Sequence, residues 1–358
     1  LTPEQARKEA IDLLAKVANG EDPAEEKAAS KAMPTMAELC DLYIQEGTTT
    51  QKPSTVATDR GRILRHVIPL LGRKRIDQIT LADIERFRDA VASGKTAADI
   101  KTGVRGRAIV TGGEGTANRT LELLSGIFSF ACRRHILSNN PCQGVKKFRR
   151  QTMERFLSGE ELARLGEAMQ EAESEGVNPV AIAALRLLLL TGMRRGEVLT
   201  LQWSFVDFEL GCLRLPDTKT GSRTLHIGAA AIALLAGLPR IEGNPFCFPG
   251  LNEGRSLVGL PKVWRKIRDR AGLSEVRIHD TRHGFASVGV ISGMGLPIVG
   301  ALLGHKSPTI TARYAHLSAD PLKAAADAIS GQIAASLDRK PAAEVVPIQQ
   351  KRTRIRGG

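Results

Sequence analysis

Residues 277–317 read RIHDTRHGFASVGVISGMGLPIVGALLGHKSPTITARYAHL, and most of the chain's proton carriers are gathered there. Four of the seven histidines (His279, His283, His305 and His316) fall in this stretch, with Tyr314, one of only two tyrosines. His279 and Arg282 are three residues apart, so on a helix they share a face. Tyr314 follows His305 by nine residues. A phenol, imidazoles and a guanidinium suit a phosphodiester: a cation to hold the phosphate, groups that move protons, and an oxygen nucleophile.

To bring these groups together the chain must fold back between His305 and Tyr314. Gly304 reads as a helix C-cap and Ser307-Pro308 as the start of the next helix. Upstream, TGMRRGEVL places Arg194 just after a long apolar run, residues 179–191, which predicts a buried helix. Taken alone, Arg194 is an arginine paired with Glu197 one turn on. Lys219 alone is an ordinary lysine in the turn of a hairpin, and His279 alone a satisfied core or cap histidine. Their order and company give them a joint meaning.

The chain has 358 residues, enough for two or three domains. It carries a formal net charge of +13, unevenly spread: residues 1–32 hold five Lys/Arg against seven Asp/Glu, so the remainder is more basic still. A basic chain with no signal peptide and no 18-residue apolar run points to nucleic acid before membrane. The five cysteines are scattered, without a CxxC pair, and read as reduced thiols, not as a disulfide frame or a zinc site.

Residues 1–19 predict a helix with Leu1, Ala10, Leu13, Leu14 and Val17 near one face. The sequence starts almost inside it and without Met, which reads as a fragment or a processed chain. A polar linker follows. Capping signals at Thr35, Ser54 and Thr80 open three helices, and a fourth is expected over 116–137. Between the third and fourth lies a Gly-rich basic insertion, residues 94–115, long enough to indicate function or disorder. These four helices predict a compact all-α domain over 33–140. Residues 133–155 carry seven Lys/Arg and one acid. This run is read as a basic interdomain linker over 141–155, with Lys146, Lys147, Arg149 and Arg150 set along DNA phosphates. Beyond it, a capping box at Ser158, the buried helix, short strands at 203–206, 212–215 and 224–227, and helices at 228–237 and 257–271 predict a mostly α domain with a small antiparallel sheet, residues 156–319.

TGMRRGEVL, the lysine in DTKTGSRT, IHDTRH, LLGH and the tyrosine in ARYAHL together resemble the ordered boxes of the tyrosine recombinases, the phage integrase family. The family pattern runs TG-x-R-x-(S/G)-E, a hairpin Lys, H-x-x-R, LGH, then Tyr nine residues on. All five boxes are present in order over 191–317. Thr281 stands where an apolar residue is common. The N-terminal helix is similar to the end of the arm-binding domain of prophage and island integrases, so residues 1–32 read as its remnant plus linker, and 33–140 as a core-DNA-binding domain.

The resemblance implies a site-specific recombinase that integrates or excises a mobile element in the bacterial cytoplasm. Tyr314 would attack the scissile phosphate, forming a 3′-phosphotyrosyl link and releasing a 5′-hydroxyl. Arg194 and Arg282 would grip the non-bridging oxygens. Lys219 would be general acid to the leaving oxygen, and His279 would help take the tyrosine proton. His305 would hydrogen-bond the phosphate, with His283 and Glu197 in support. The covalent link keeps the phosphodiester energy, so no cofactor and no metal is implied, and no P-loop is present. The implied partners are double-stranded attachment sites, three further copies in a homotetramer on paired sites, and accessory DNA-bending proteins. Residues 320–358 predict a helix over 320–337, packed either on its own domain or, as the resemblance suggests, on a neighbouring protomer, and a basic tail.

Three rival readings use the same residues. HDTRH also fits a zinc pattern with His279 and His283 four apart, although Arg282 beside it disfavours a metal. A type IB topoisomerase shares the nucleophile and the arginines but relaxes DNA as a monomer. A DNA-binding protein without chemistry would need only the charge.

Overall fold

The computed structural model describes residues 2–18, 33–101, 103, 106–149, 155–216 and 221–317, with scattered positions between 326 and 337. Lys219, Arg150 and most of the expected C-terminal helix lie outside the described residues. The chain divides into two compact units, residues 1–152 and 153–358. The architecture is mainly α, with two small antiparallel sheets.

In the first unit, α1 (Pro3–Ala18) is followed by α2 (Met36–Leu42), α3 (Pro53–Arg62), α4 (Ile68–Leu71), α5 (Leu81–Ala92) and α6 (Glu114–Arg133). Thr35 and Thr80 form reciprocal capping boxes with Glu38 and Asp83, so each start satisfies helical N–H groups that would otherwise lack a partner. Lys74 and Arg86 both reach Asp83 at 2.7 Å, and the Lys74 contact ties α5 to the preceding loop. Met36, Leu39, Ile84, Leu124, Ile127 and Phe128 are fully buried between the helices. Each such side chain contributes roughly 2 kcal/mol of burial.

The helix expected to be capped by Ser54 is instead capped at Lys52 and begins at Pro53, whose fixed φ suits the first turn, so Ser54 lies inside the helix; it then runs through a π-helical turn, Ile63–Val67. A second π-helical turn, Tyr43–Gly47, extends α2. The insertion is neither helical nor structureless: Ala98–Lys101 (β1) pairs antiparallel with Arg107–Val110 (β2), and Arg107 holds Asp99. The unit is therefore not purely helical. Residues 141–149, expected as part of a free connector, pack on this unit. Cys142 is buried, Val145 and Phe148 lie against the core, and the Asn118 side chain exchanges two hydrogen bonds with the Phe148 backbone. Spacing by threes puts these apolar residues inward and leaves Lys146, Lys147 and Arg149 exposed.

The second unit is built on α8 (Pro179–Thr191). Asn178 caps its start, Pro179 fits its first turn, and Gly192 closes it at φ 61°. Eight of its residues are buried, which is why its sequence is apolar all round. Around it pack α7 (Gly159–Ser174), α9 (Arg195–Leu199), α10 (Ala229–Ala236), α11 (Leu260–Arg270) and α12 (Asp280–Ile291), followed by α13 (Leu296–Leu303) and α14 (Pro308–Ala312). The sheet has the order β3 (Val206–Asp207), β4 (Cys212–Leu215), β5 (Arg223–His226). Most of the strand expected over 203–206 is a 3₁₀ turn, Trp203–Phe205. Among the described residues no helix is long and apolar enough to cross a membrane.

Candidate active site

The site belongs to the second unit and is assembled from helix ends. Arg194 is the N-cap of α9. Its backbone N–H donates to Glu197 Oε2 at 3.0 Å and its Nη1 to Oε1 at 2.8 Å. The Arg194–Glu197 pair expected from spacing is thus present, with Glu197 9% and Arg194 24% exposed in their side chains. Burial alone would raise the Glu197 carboxyl. The hydrogen bonds from Arg194 and the charge of Arg223 outweigh it and hold the group below its ordinary value.

Arg282, on the first turn of α12, is 4% exposed. Its Nη1 donates to the Gly192 carbonyl at 2.7 Å and its Nη2 to the Leu303 carbonyl at 2.6 Å. These carbonyls end α8 and α13, where helical C=O groups lack partners and carry negative charge. The arrangement makes burial of the guanidinium tolerable. Burial, reinforced by Arg194, still pushes Arg282 down to about 10, which leaves it cationic at neutral pH.

Gly304 terminates α13 at φ 68°, in the left-handed region, as its C-cap position requires. His305 follows, with Nδ1 2.9 Å from Thr311 Oγ1. Ser307 and Pro308 start α14, and Thr311 sits on its inner face, 3% exposed. The Tyr314 N–H donates to the Thr311 carbonyl at 3.0 Å. The tyrosine is 1% exposed, edge-on to Phe156 at 6.0 Å, in a small cluster with Ala286, Val290, Val299 and Leu303. Its hydroxyl lies 2.7 Å from His283 Nδ1. His279 lies edge-on to His283, ring centroids 5.4 Å apart.

All three imidazoles bind protons less readily than usual. Burial pushes His283 down to about 4, with His279 next in effect. Burial, then Arg282 and Arg194, pushes His305 to about 4, and burial and Arg282 lower His279. Neutral imidazoles at neutral pH can accept a proton from a phenol or donate a hydrogen bond to an anion. Arg194, Glu197, His279, Arg282, His283, His305 and Tyr314 are therefore tied into one neighbourhood by direct contacts. Lys219 falls in sequence between β4 and β5 and lies outside the described residues. Lys146, Lys147 and Arg149 lie on the first unit, where Lys147 pairs with Glu122 at 3.1 Å. Among the described residues no three His, Cys, Asp or Glu side chains converge as a metal would require.

Residues 155–320 match the phage integrase family, and residues 35–91 match the phage integrase N-terminal SAM-like domain, together more than half of the chain. The chain belongs to the phage integrase family. It is a tyrosine-type site-specific DNA recombinase. It is 28% identical to a shufflon-specific DNA recombinase of Escherichia coli, over 82% of this chain and 72% of that one. It is 25% identical to the ICEBs1 integrase of Bacillus subtilis, over 90% and 89% of the two chains. Its fold resembles that of a lambda integrase tetramer bound to a Holliday junction, with a TM-score of 0.61, 18% identity, and 88% and 87% of the two chains covered.

Three residues of this integrase site carry no signal of their own in the sequence. Arg223 donates from Nη2 to Glu197 Oε2 and from Nη1 to the Leu303 carbonyl, both at 2.8 Å. Thr311 orients His305, and Phe156 walls Tyr314. Sequence reasoning expects His279 to help take the tyrosine proton and places His283 in support; the structure sets His283 Nδ1 2.7 Å from the hydroxyl, with His279 edge-on to that ring.

Proposed function

We propose that Tyr314 is the nucleophile of a strand-exchange reaction at DNA attachment sites, integrating or excising a mobile element. The observation that supports this most directly is the 2.7 Å approach of the Tyr314 hydroxyl to His283 Nδ1. A neutral imidazole at hydrogen-bond distance takes the phenolic proton as the oxygen bonds to phosphorus. His279 stands beside it and passes the proton outward. Arg194 and Arg282 bind the non-bridging oxygens with the N–H groups left free by Glu197 and the two helix-end carbonyls. If the Thr311 hydroxyl donates to His305 Nδ1, the Nε2–H of His305 is left to donate to the same phosphate. Lys219 protonates the 5′-oxygen as its bond to phosphorus breaks. The phosphotyrosyl ester then keeps the bond energy for attack by a 5′-hydroxyl from the partner strand, so the cycle balances without an external energy source.

On this reading residues 33–140 and 156–319 each contact a core site, and the basic 141–155 segment meets the DNA backbone. The working form is a homotetramer on paired sites in the bacterial cytoplasm, assisted by DNA-bending proteins. The deciding experiment traps the covalent complex on a nicked attachment-site duplex, digests it and locates the nucleotide by mass spectrometry. A nucleotide on the peptide carrying Tyr314 is expected; one on any other residue refutes the assignment.

A further inference from the structure

Two cations that hold one phosphate repel each other and must be kept in register by something else. Arg194 and Arg282 come from different elements, the start of α9 and the start of α12, and make no direct bond to each other. A third guanidinium spans them. Arg223, at the start of β5, is 12% exposed in its side chain. Its Nη2 takes the Glu197 oxygen that also receives the Arg194 backbone N–H, while Glu197 Oε1 holds the Arg194 guanidinium. Its Nη1 takes the Leu303 carbonyl that also receives Arg282 Nη2. Each arm of the fork thus shares an acceptor with one of the two phosphate-binding arginines.

We propose that Arg223 is a positioning residue that sets the separation and orientation of Arg194 and Arg282 at the scissile phosphate. This rests on the functional reading above. Several features of the site fit it. The planar fork reaches a carboxylate and a carbonyl at once, a geometry that a lysine ammonium on a single stem does not reproduce. The two acceptors lie on segments 26 residues before and 80 residues after Arg223, so the bridge is tertiary. Gly304 leaves the room: a Cβ there would overlap the Arg223 guanidinium. The glycine of LLGH therefore serves both the left-handed helix end and the passage of this side chain. With Glu197, the three guanidiniums leave a surplus of two positive charges. That surplus matches the two negative charges that a phosphodiester carries once the tyrosine oxygen has added to phosphorus.

The test compares cleavage by full-length Arg223→Ala and Arg223→Lys on two substrates. One carries the normal scissile phosphate. The other carries a methylphosphonate, in which a methyl group replaces one non-bridging oxygen and the centre is uncharged. Loss of register at an arginine clamp should slow cleavage of the normal substrate by about 100-fold, with half-site affinity unchanged. On the methylphosphonate, which asks less of the two arginines, the defect should shrink to a few-fold. Arg223→Lys keeps the charge but not the bridge and should behave like Arg223→Ala. Full activity of Arg223→Lys, or equal defects on both substrates, would overturn the proposal, since charge alone or fold support would then explain the residue. Arg194→Ala and Arg282→Ala run in parallel. If they gain on the methylphosphonate and Arg223→Ala does not, only the role of Arg223 falls. If none gains, the phosphate-binding reading falls with it. Should Arg223→Ala melt below the assay temperature, Arg223→Gln, which keeps an N–H₂ group toward the acceptors, carries the same comparison.

Discussion

The hydroxyl of Tyr314 and Nδ1 of His283 are 2.7 Å apart, and both residues are buried. On the proposed mechanism the pairing puts nucleophile and proton acceptor in direct contact. It also removes His283 from ordinary titration, because the ring is hemmed in by apolar groups and by His279.

That has a consequence for stability with pH. Folded His283 and His305 take a proton only near pH 4, whereas an unfolded imidazole does so near 6.5. Between those values the unfolded chain binds more protons, so stability is intact above about pH 6.5 and falls as pH drops toward 4. The melting temperature of wild-type protein should decline over this window, and that of His283→Gln should decline less. Carboxylates with lowered pKa, Glu197 and Glu161 among them, lose their contribution only below about 4.5, the lower end of this window. Parallel melting curves for wild type and variant from pH 6.5 to 4.5 would remove His283 as the cause.

Tyr314→Phe should abolish the covalent adduct while leaving DNA affinity within about two-fold, since affinity comes mainly from charge contacts. The control is Tyr43→Phe. Tyr43 lies in the first unit, packs on Phe130 and receives one hydrogen bond from Gln51. Its loss should cost about 1 kcal/mol of stability and no cleavage. An adduct formed by Tyr314→Phe on a denaturing gel would contradict the assignment.

Lys219→Ala should slow cleavage of normal DNA by about 100-fold or more, the usual scale for a lost general acid. With sulfur at the 5′-bridging position most of that rate should return, because a thiolate leaves without a proton donor. A defect of the same size on both substrates would give Lys219 another role.

Neutralising Lys146, Lys147, Arg149 and Arg150 together should flatten the dependence of log affinity on log salt by up to about 3 to 4 units if each meets a phosphate. Lys147 is already paired with Glu122, so its share should be the smallest. An unchanged slope would place the segment away from the DNA backbone.

Much of this was legible because local rules and tertiary demands coincide. Residues 179–191 carry an N-cap, a proline at the first turn, an apolar body and a terminal glycine, and the helix has those bounds. Gly304 and Ser307-Pro308 foretold the fold-back that delivers Tyr314. The β1–β2 hairpin was not legible, because Asp99, Ile100 and Lys101 are all exposed in β1, and in β2, where burial does alternate, apolar Ile109 takes an outward position beside Arg107. The π-helical turns leave no mark in composition, since only the hydrogen-bond register slips. Cys142, Val145 and Phe148 were masked by the charges between them. Arg223 depends on partners distant in sequence, and no local pattern encodes that. His279 and His283 are one turn apart; only the packed position of Tyr314 selects between them.

The segment from Leu303 to Tyr314 is fastened like a bracket. One end is held where the Leu303 oxygen meets Arg282 and Arg223, the middle where His305 meets Thr311, and the far end where the Tyr314 amide meets the Thr311 carbonyl. Pinned at Leu303 and braced internally by the two Thr311 contacts, such a segment would move as a piece about the Leu303 oxygen. Any displacement that swings the tyrosine toward or away from a phosphate must therefore pull on the two guanidiniums at the other end. On the proposed mechanism, arming the tyrosine and setting the anion clamp become one mechanical event, so a protomer whose tyrosine is out of place would also have its clamp out of adjustment.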